Sequence, residues 1–223
     1  MRVDTNIGKG GRGVRPVTRV YLVSCAQTTL DEEGVFQGST DHQLSGQGIG
    51  HAKLLSKHLR DDEVDSFYSS PFEGAFETAS TLAARHRRGV IRQNDLRDMD
   101  YGNWTGKTAA ELKESDPELL ITWQFKPHEH RMPGGETLQE VQERVVRTLE
   151  NILSVEKGNG VCVVTHPIPV KAAMCHFMND DLSIIWLGPR QDSTALNIID
   201  FQEDKAQVQR VGSLKHRGEK GTV

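Results

Sequence analysis

Along the chain, short runs of β-branched and aromatic residues alternate with longer segments whose apolar positions recur every three or four residues. This pattern predicts a parallel sheet with helices on its faces. Arg19 to Ser24 (RVYLVS) is the first strand-like run, followed by Ser66 to Ser70 (SFYSS), Gly89 to Gln93 (GVIRQ) and Gly160 to His166 (GVCVVTH). Thr194 to Phe201 and Ala206 to Gly212 read as late strands. After Ser45, a helix cap, the residues Ile49, Ala52, Leu55 and Leu59 define one apolar face. Ser70 and Pro71 suggest a cap and a first-turn proline for a helix bearing Ala75, Ala79 and Leu82. Thr137 and Glu140 have the spacing of a capping box ahead of Leu138, Val141, Val145, Leu149 and Ile152, which gives the clearest helix.

The ends carry little to bury. Residues 1–16, rich in glycine and basic side chains, read as a flexible tail, residues 17–212 as one domain, and residues 213–223 as a charged tail that frays from Lys215. Gly8, Gly10 and Gly13 match a dinucleotide-loop pattern but precede the first strand, whereas such a loop must follow one. No internal repeat is visible.

Composition narrows the function classes. The 223 residues carry a formal net charge of −4, so no long-range positive field gathers nucleic acid or an anionic membrane surface. No apolar run reaches the roughly 20 residues that span a bilayer, and the N-terminus lacks a secretory apolar segment, so an intracellular, cytoplasmic protein is expected. Cys25, Cys162 and Cys175 cannot all pair and have no metal-motif spacing; Cys162 and Cys175 sit in apolar runs and read as core.

Ligands of open parallel sheets bind beyond the carboxyl ends of the strands. Ser24, Cys25, Ser69 to Gly74, Arg97 to Tyr101 and His166 are therefore expected to converge. His128 and His130 lie in a polar stretch and read as solvated, and Trp104, Trp123 and Trp186 as core or lid packing.

Those strand ends carry a resemblance. VYLVSCAQTT, FQGSTDHQLSGQG, SSPFEGAFETA, DLRDMDYGNWTG, PGGET and VVTH occur in the order found in the histidine phosphatase, or phosphoglycerate mutase-like, superfamily, and together they run from about Val17 to Phe201. The resemblance implies a three-layer α/β/α sandwich with a mostly parallel central sheet. It also implies a phosphoryl-transfer site in which a histidine nucleophile, two arginines, a second histidine and an acid surround the phosphate.

Residue by residue, Gln27, Thr28, Asp98 (the acid position) and His166 (the second histidine) match. Cys25 stands at the nucleophile position, Ser24 and Gly74 at the two arginines, Pro167 at a glycine, and Asp31 at a frequent asparagine. Lys171 is a stand-in for a peripheral arginine. A charge-assisted hydrogen bond from arginine to phosphate is worth about 1.5–3 kcal/mol, so Ser24 and Gly74 imply a much weaker hold on the phosphoryl group.

Two functions follow. The first is a binding or regulatory module that has lost the phosphohistidine mechanism and takes a phosphorylated or acidic ligand, or a protein partner. The second is a phosphomonoester hydrolase acting on a small phosphorylated metabolite by a substituted route, with Cys25 as nucleophile or with His166 and Asp98 activating water. Against the thiol route, thiol phosphatases place an arginine six residues after the cysteine, and here Asp31 stands there. Cys25 also reads as a partly buried small side chain, or, with His166 and Asp98, as one of three metal ligands, although no spacing supports a metal. A diverged copy of an enzyme for sugar phosphates or phosphoglycerate is the third reading. No cofactor is expected, and a homodimer is compatible with the sequence.

Overall fold

The structure is a computed structural model and describes residues 16–38, 40–203 and 205–219. The expected N-terminal tail and its three glycines lie outside the described residues apart from Pro16, as do the last four residues of the C-terminal segment.

A six-stranded sheet in the order β3-β2-β4-β1-β5-β6 forms the centre. Its strands are β1 (Thr18–Ser24), β2 (Ser66–Ser69), β3 (Val90–Arg92), β4 (Gly160–Thr165), β5 (Leu196–Gln202) and β6 (Lys205–Ser213). β1, β4, β2 and β3 are parallel, while β5 runs antiparallel to β1 and β6 antiparallel to β5. All residues of β4 are buried, as a strand covered on both faces requires.

Alternation along the strands divides the core. Val20, Leu22, Val161 and Val163 face α5 (Leu138–Val155) and α6 (Pro167–Met178). Tyr21, Val23, Cys162 and Val164 face α1 (Gly46–His58) and α2 (Glu73–His86). The result is the expected three-layer α/β/α sandwich. On α5 the predicted stripe of Leu138, Val141, Val145, Leu149 and Ile152 is buried, and both arms of the Thr137–Glu140 capping box form. Cys162 and Cys175 are buried, as their apolar surroundings suggest.

Three expectations differ. α2 starts at Glu73 with Phe72 as its cap residue, because the Ser70 hydroxyl is engaged with the Phe72 N–H and with His166. Two short helices, α3 (Ala109–Ser115) and α4 (Pro117–Phe125), occupy the stretch before α5; α3 is started by a Thr108–Glu111 capping box. The chain from Lys215 does not fray: Leu214 is buried and Lys215–Arg217 make a 3-10 turn against α1. The charges on this segment hid one apolar anchor.

The register sets the site. Ser24 pairs with Thr165 and Ser69 with Val164, so Cys25, Ser70 and His166 leave the sheet at one edge. Cys25 N–H then donates to Thr165 O over 2.7 Å, and Ser70 N–H to Val164 O over 2.9 Å. No helix among the described residues is long and apolar enough to cross a membrane.

Gly48, in the first turn of α1, fixes how close that helix comes to the loop after β1, since a Cβ there would sit 2.0 Å from Gln27 O. Gly48→Ala is expected to destabilise the protein by about 1–3 kcal/mol through overpacking. Urea unfolding measures this, and an unchanged midpoint would refute the close approach.

Candidate active site

The strand ends open into a cleft of about 750 Å³, a size usual for small-molecule sites. Cys25, Gln27, Asp31, Asp98, His166 and Pro167 line it, together with Lys171. Ser24, Thr28 and Gly74 do not. Ser24 is fully buried and donates its hydroxyl to Gln191 O over 3.1 Å. Gly74 is packed over, since a Cβ would meet Thr28 Cγ2 at 2.9 Å and His42 O at 3.1 Å.

The floor is uncharged. His166 Nε2 lies 2.8 Å from Ser70 Oγ, and Nδ1 lies 3.7 Å from Cys25 Sγ. A neutral imidazole donates at one nitrogen and accepts at the other, so both contacts are met without charge. Burial, aided by Arg144, holds the His166 pKa down at about 3. The strand-end histidine is thus satisfied by side chains rather than by backbone. Cys25 is buried, and burial, then Asp31 and Asp98, push its thiol far above the ordinary value. It is a protonated thiol at neutral pH, and its buried setting agrees with the small-side-chain reading.

Asp98 is the exception. Burial pushes its carboxyl up to about 7, against the pull of the Met99 N–H and Arg144, while Asp31 and Glu136 raise it further. Its Oδ1 accepts from Met99 N–H over 2.8 Å. The loop that carries it is clamped by Arg144 of α5, which sequence reasoning missed. Arg144 pairs with Glu136 through Nε and Nη2 at 2.8 and 2.9 Å. It also donates to the carbonyls of Asp95, Arg97 and Asp98. The signal was present: Arg144 lies on the same stripe as Val141 and Val145, where a lone arginine is buried only if fully paired.

Asp31 brings negative charge to the cleft as expected, and it also absorbs donors. Thr28 N–H and Gln37 Nε2 donate to its carboxylate, each over 2.6 Å. Pro167 begins α6, and Pro169 follows two residues on, so two N–H groups are missing from the helix end that meets the cleft.

The expectation of a pocket stripped of cations needs revision. Lys171, Arg190 and Arg217 all line the cleft, although none hydrogen-bonds Cys25, His166 or Asp98. Lys171 Nζ donates to Ile185 O over 3.1 Å and lies 5.4 Å from the centre of the Trp186 ring. Arg217 is invisible in the sequence because the segment bearing it reads as a tail. Cys25, His166 and Asp98 make no metal centre: among the described residues no group of three or more His, Cys, Asp or Glu could hold an ion. His130 is buried beside Trp104 rather than solvated, its polar neighbours in sequence giving no hint of this. Trp104 and Trp123 are core, and Trp186 lines the cleft.

These ionisation states can be checked in two ways. Because Asp98 keeps its proton in the fold beyond its unfolded pKa, it costs stability as pH rises from about 4 to 7. His166 acts in the opposite sense, costing stability as pH falls from about 6.5 towards 3. Asp98→Asn should therefore stabilise the protein at pH 8 by on the order of 1–3 kcal/mol and flatten the fall from pH 4 to 7, read by urea unfolding across pH. Iodoacetamide at pH 8 should label Cys25 in the native protein at least about tenfold slower than in the unfolded chain; equal rates, by mass spectrometry, would show a thiolate.

Comparison with known proteins agrees with this arrangement. Residues 20–213 match the model of the histidine phosphatase superfamily (branch 1). Phosphoserine phosphatase 1 of Hydrogenobacter thermophilus is 30% identical over 203 residues, covering 91% of this chain and 96% of that protein. Phosphoglycerate mutase-like protein 4 of Arabidopsis thaliana is 26% identical, covering 91% of this chain and 88% of that one. Among solved structures, Bacillus stearothermophilus YhfR superposes with a TM-score of 0.86 at 28% identity, covering 89% of this chain and 98% of that one. The motifs, the sheet order and the convergence of Cys25, Asp98 and His166 at one edge have the same explanation: the chain belongs to the histidine phosphatase superfamily.

Proposed function

We propose that the protein hydrolyses small phosphomonoesters by direct attack of water, without a phosphoenzyme. The observation that carries this reading is Asp98, a buried carboxyl with a pKa of about 7 in the cleft that also holds neutral His166. A carboxyl so placed holds a proton at neutral pH and gives it to the departing oxygen as the phosphorus–oxygen bond breaks. Water forms the new bond to phosphorus, and its proton leaves to solvent and restores the acid. Cys25 takes no covalent part, because its thiol stays protonated. The resemblance to phosphoserine phosphatases supports a phosphomonoester as substrate.

Magnitudes decide whether turnover survives. Two missing arginine contacts at about 1.5–3 kcal/mol each lower transition-state stabilisation by roughly two to four orders of magnitude. Enzymes commonly supply about six or more orders, so slow catalysis remains.

A second reading, binding without turnover, is favoured by one specific observation. The floor at Cys25 and His166 has no cation in contact, and Pro167 and Pro169 remove donors beside it. In that reading the cleft senses a phosphorylated or acidic ligand.

Hydrolysis of para-nitrophenyl phosphate by the pure protein separates the two. Slow release is expected, declining as pH rises through about 7, reduced at least about tenfold in Asp98→Asn and altered less than about threefold in Cys25→Ser. Activity abolished by Cys25→Ser would overturn the water route, and absence of any turnover would leave the binding reading.

A further inference from the structure

The water route leaves unused a polar group in the same cleft, assembled from three distant stretches: His51 of α1, Ser193 ahead of β5, and Arg217 in the turn after β6. Gln27 N–H donates to Ser193 Oγ over 2.9 Å, and that oxygen lies 3.0 Å from His51 Nδ1. Nδ1 is the acceptor open to the Ser193 hydroxyl hydrogen, which leaves the ring hydrogen of a neutral imidazole on Nε2. Burial, then Arg217, hold the His51 pKa below its usual value, in keeping with that neutral ring. Nε2–H has no acceptor among the described residues.

Arg217 is anchored. Its Nη1 donates to Ser193 O over 3.0 Å and its Nη2 pairs with Glu219 at 2.7 Å. The Nε–H is buried with no acceptor among the described residues, a state that ordinarily costs about 1–3 kcal/mol. The turn that carries it is fixed by buried Leu214 and by the 2.8 Å contact of His216 Nε2 with Thr194 Oγ1. Thr194 has φ 62°, which a β-branched residue adopts only under constraint.

We propose that His51 and Arg217 form a second anion subsite, which takes a carboxylate on the leaving-group side of the phosphomonoester. Two unmet N–H donors in one cleft match the two oxygens of a carboxylate. Arg217 already carries Glu219, and Asp192 lines the same cleft, so a single negative charge suits the subsite better than a dianion. The phosphoryl group occupies the strand ends, and in that respect the assignment rests on the hydrolytic reading. The substrate class is then a phosphomonoester with a second, singly charged acidic group.

The test measures binding of non-hydrolysable probes by calorimetry: phenylphosphonate and its para-carboxy derivative. Wild-type protein should bind the carboxylated probe at least about tenfold more tightly. Arg217→Gln should erase that preference while moving the affinity for plain phenylphosphonate less than about threefold, and Arg217→Lys should keep part of it. His51→Gln, which leaves the C-terminal turn untouched, should lower the preference about threefold to tenfold, so the outcome does not hang on the folding of one variant. Equal affinities in the wild type, a preference that survives both Arg217→Gln and His51→Gln, or no binding of either probe would overturn the subsite. Preference without turnover sinks only the hydrolytic reading, and turnover without preference sinks only the subsite.

Discussion

The pairing of β4 with β1 on one side and β2 on the other is the constraint on which the rest depends. Because β4 is buried on both faces, its register is held by packing as well as by hydrogen bonds: a slip of one residue would exchange the sets that face α5 and α6 with those that face α1 and α2. With that register fixed, Cys25, Ser70 and His166 emerge together, and the Ser70–His166–Cys25 contacts follow from the geometry of the edge. Arg144 performs the corresponding task for Asp98, tying the carbonyls of its loop to α5.

Desolvation governs the chemistry of the floor. The same burial lowers the His166 pKa and raises those of Cys25 and Asp98, so all three favour their uncharged forms. Charge is kept where water or a partner sustains it. Arg190 is held by Asp192, Arg217 by Glu219, and Asp31 by donors of its own loop. A phosphoryl group entering this cleft meets neutral donors at the strand ends and cations on the surrounding walls, so the proposed hydrolysis relies on a proton donor rather than on a charged clamp.

Much of the fold is legible because it follows from local rules. The α5 stripe repeats at helical spacing and begins at a capping box, and β4 is a continuous apolar run of the kind that only a doubly covered strand uses. The boundary of α2 escapes those rules because the Ser70 hydroxyl cannot serve as helix cap while engaged with His166, a residue 96 positions away. His130 misleads in the same manner, since its burial beside Trp104 is set by neighbours distant in sequence.

By itself the sequence determined the layer architecture, the order of the motifs and the identity of the residues at the strand ends, since each is written in periodicity or in short motifs. Only the tertiary structure decided that Gly74 is packed over, that the Cys25 thiol is sealed from water, that Arg144 clamps the Asp98 loop, and that a charged C-terminal turn delivers Arg217 to the cleft. The reason is physical: the charge state of a side chain and the donors left open around it depend on burial and on contacts between segments far apart in the chain, and no local pattern encodes either.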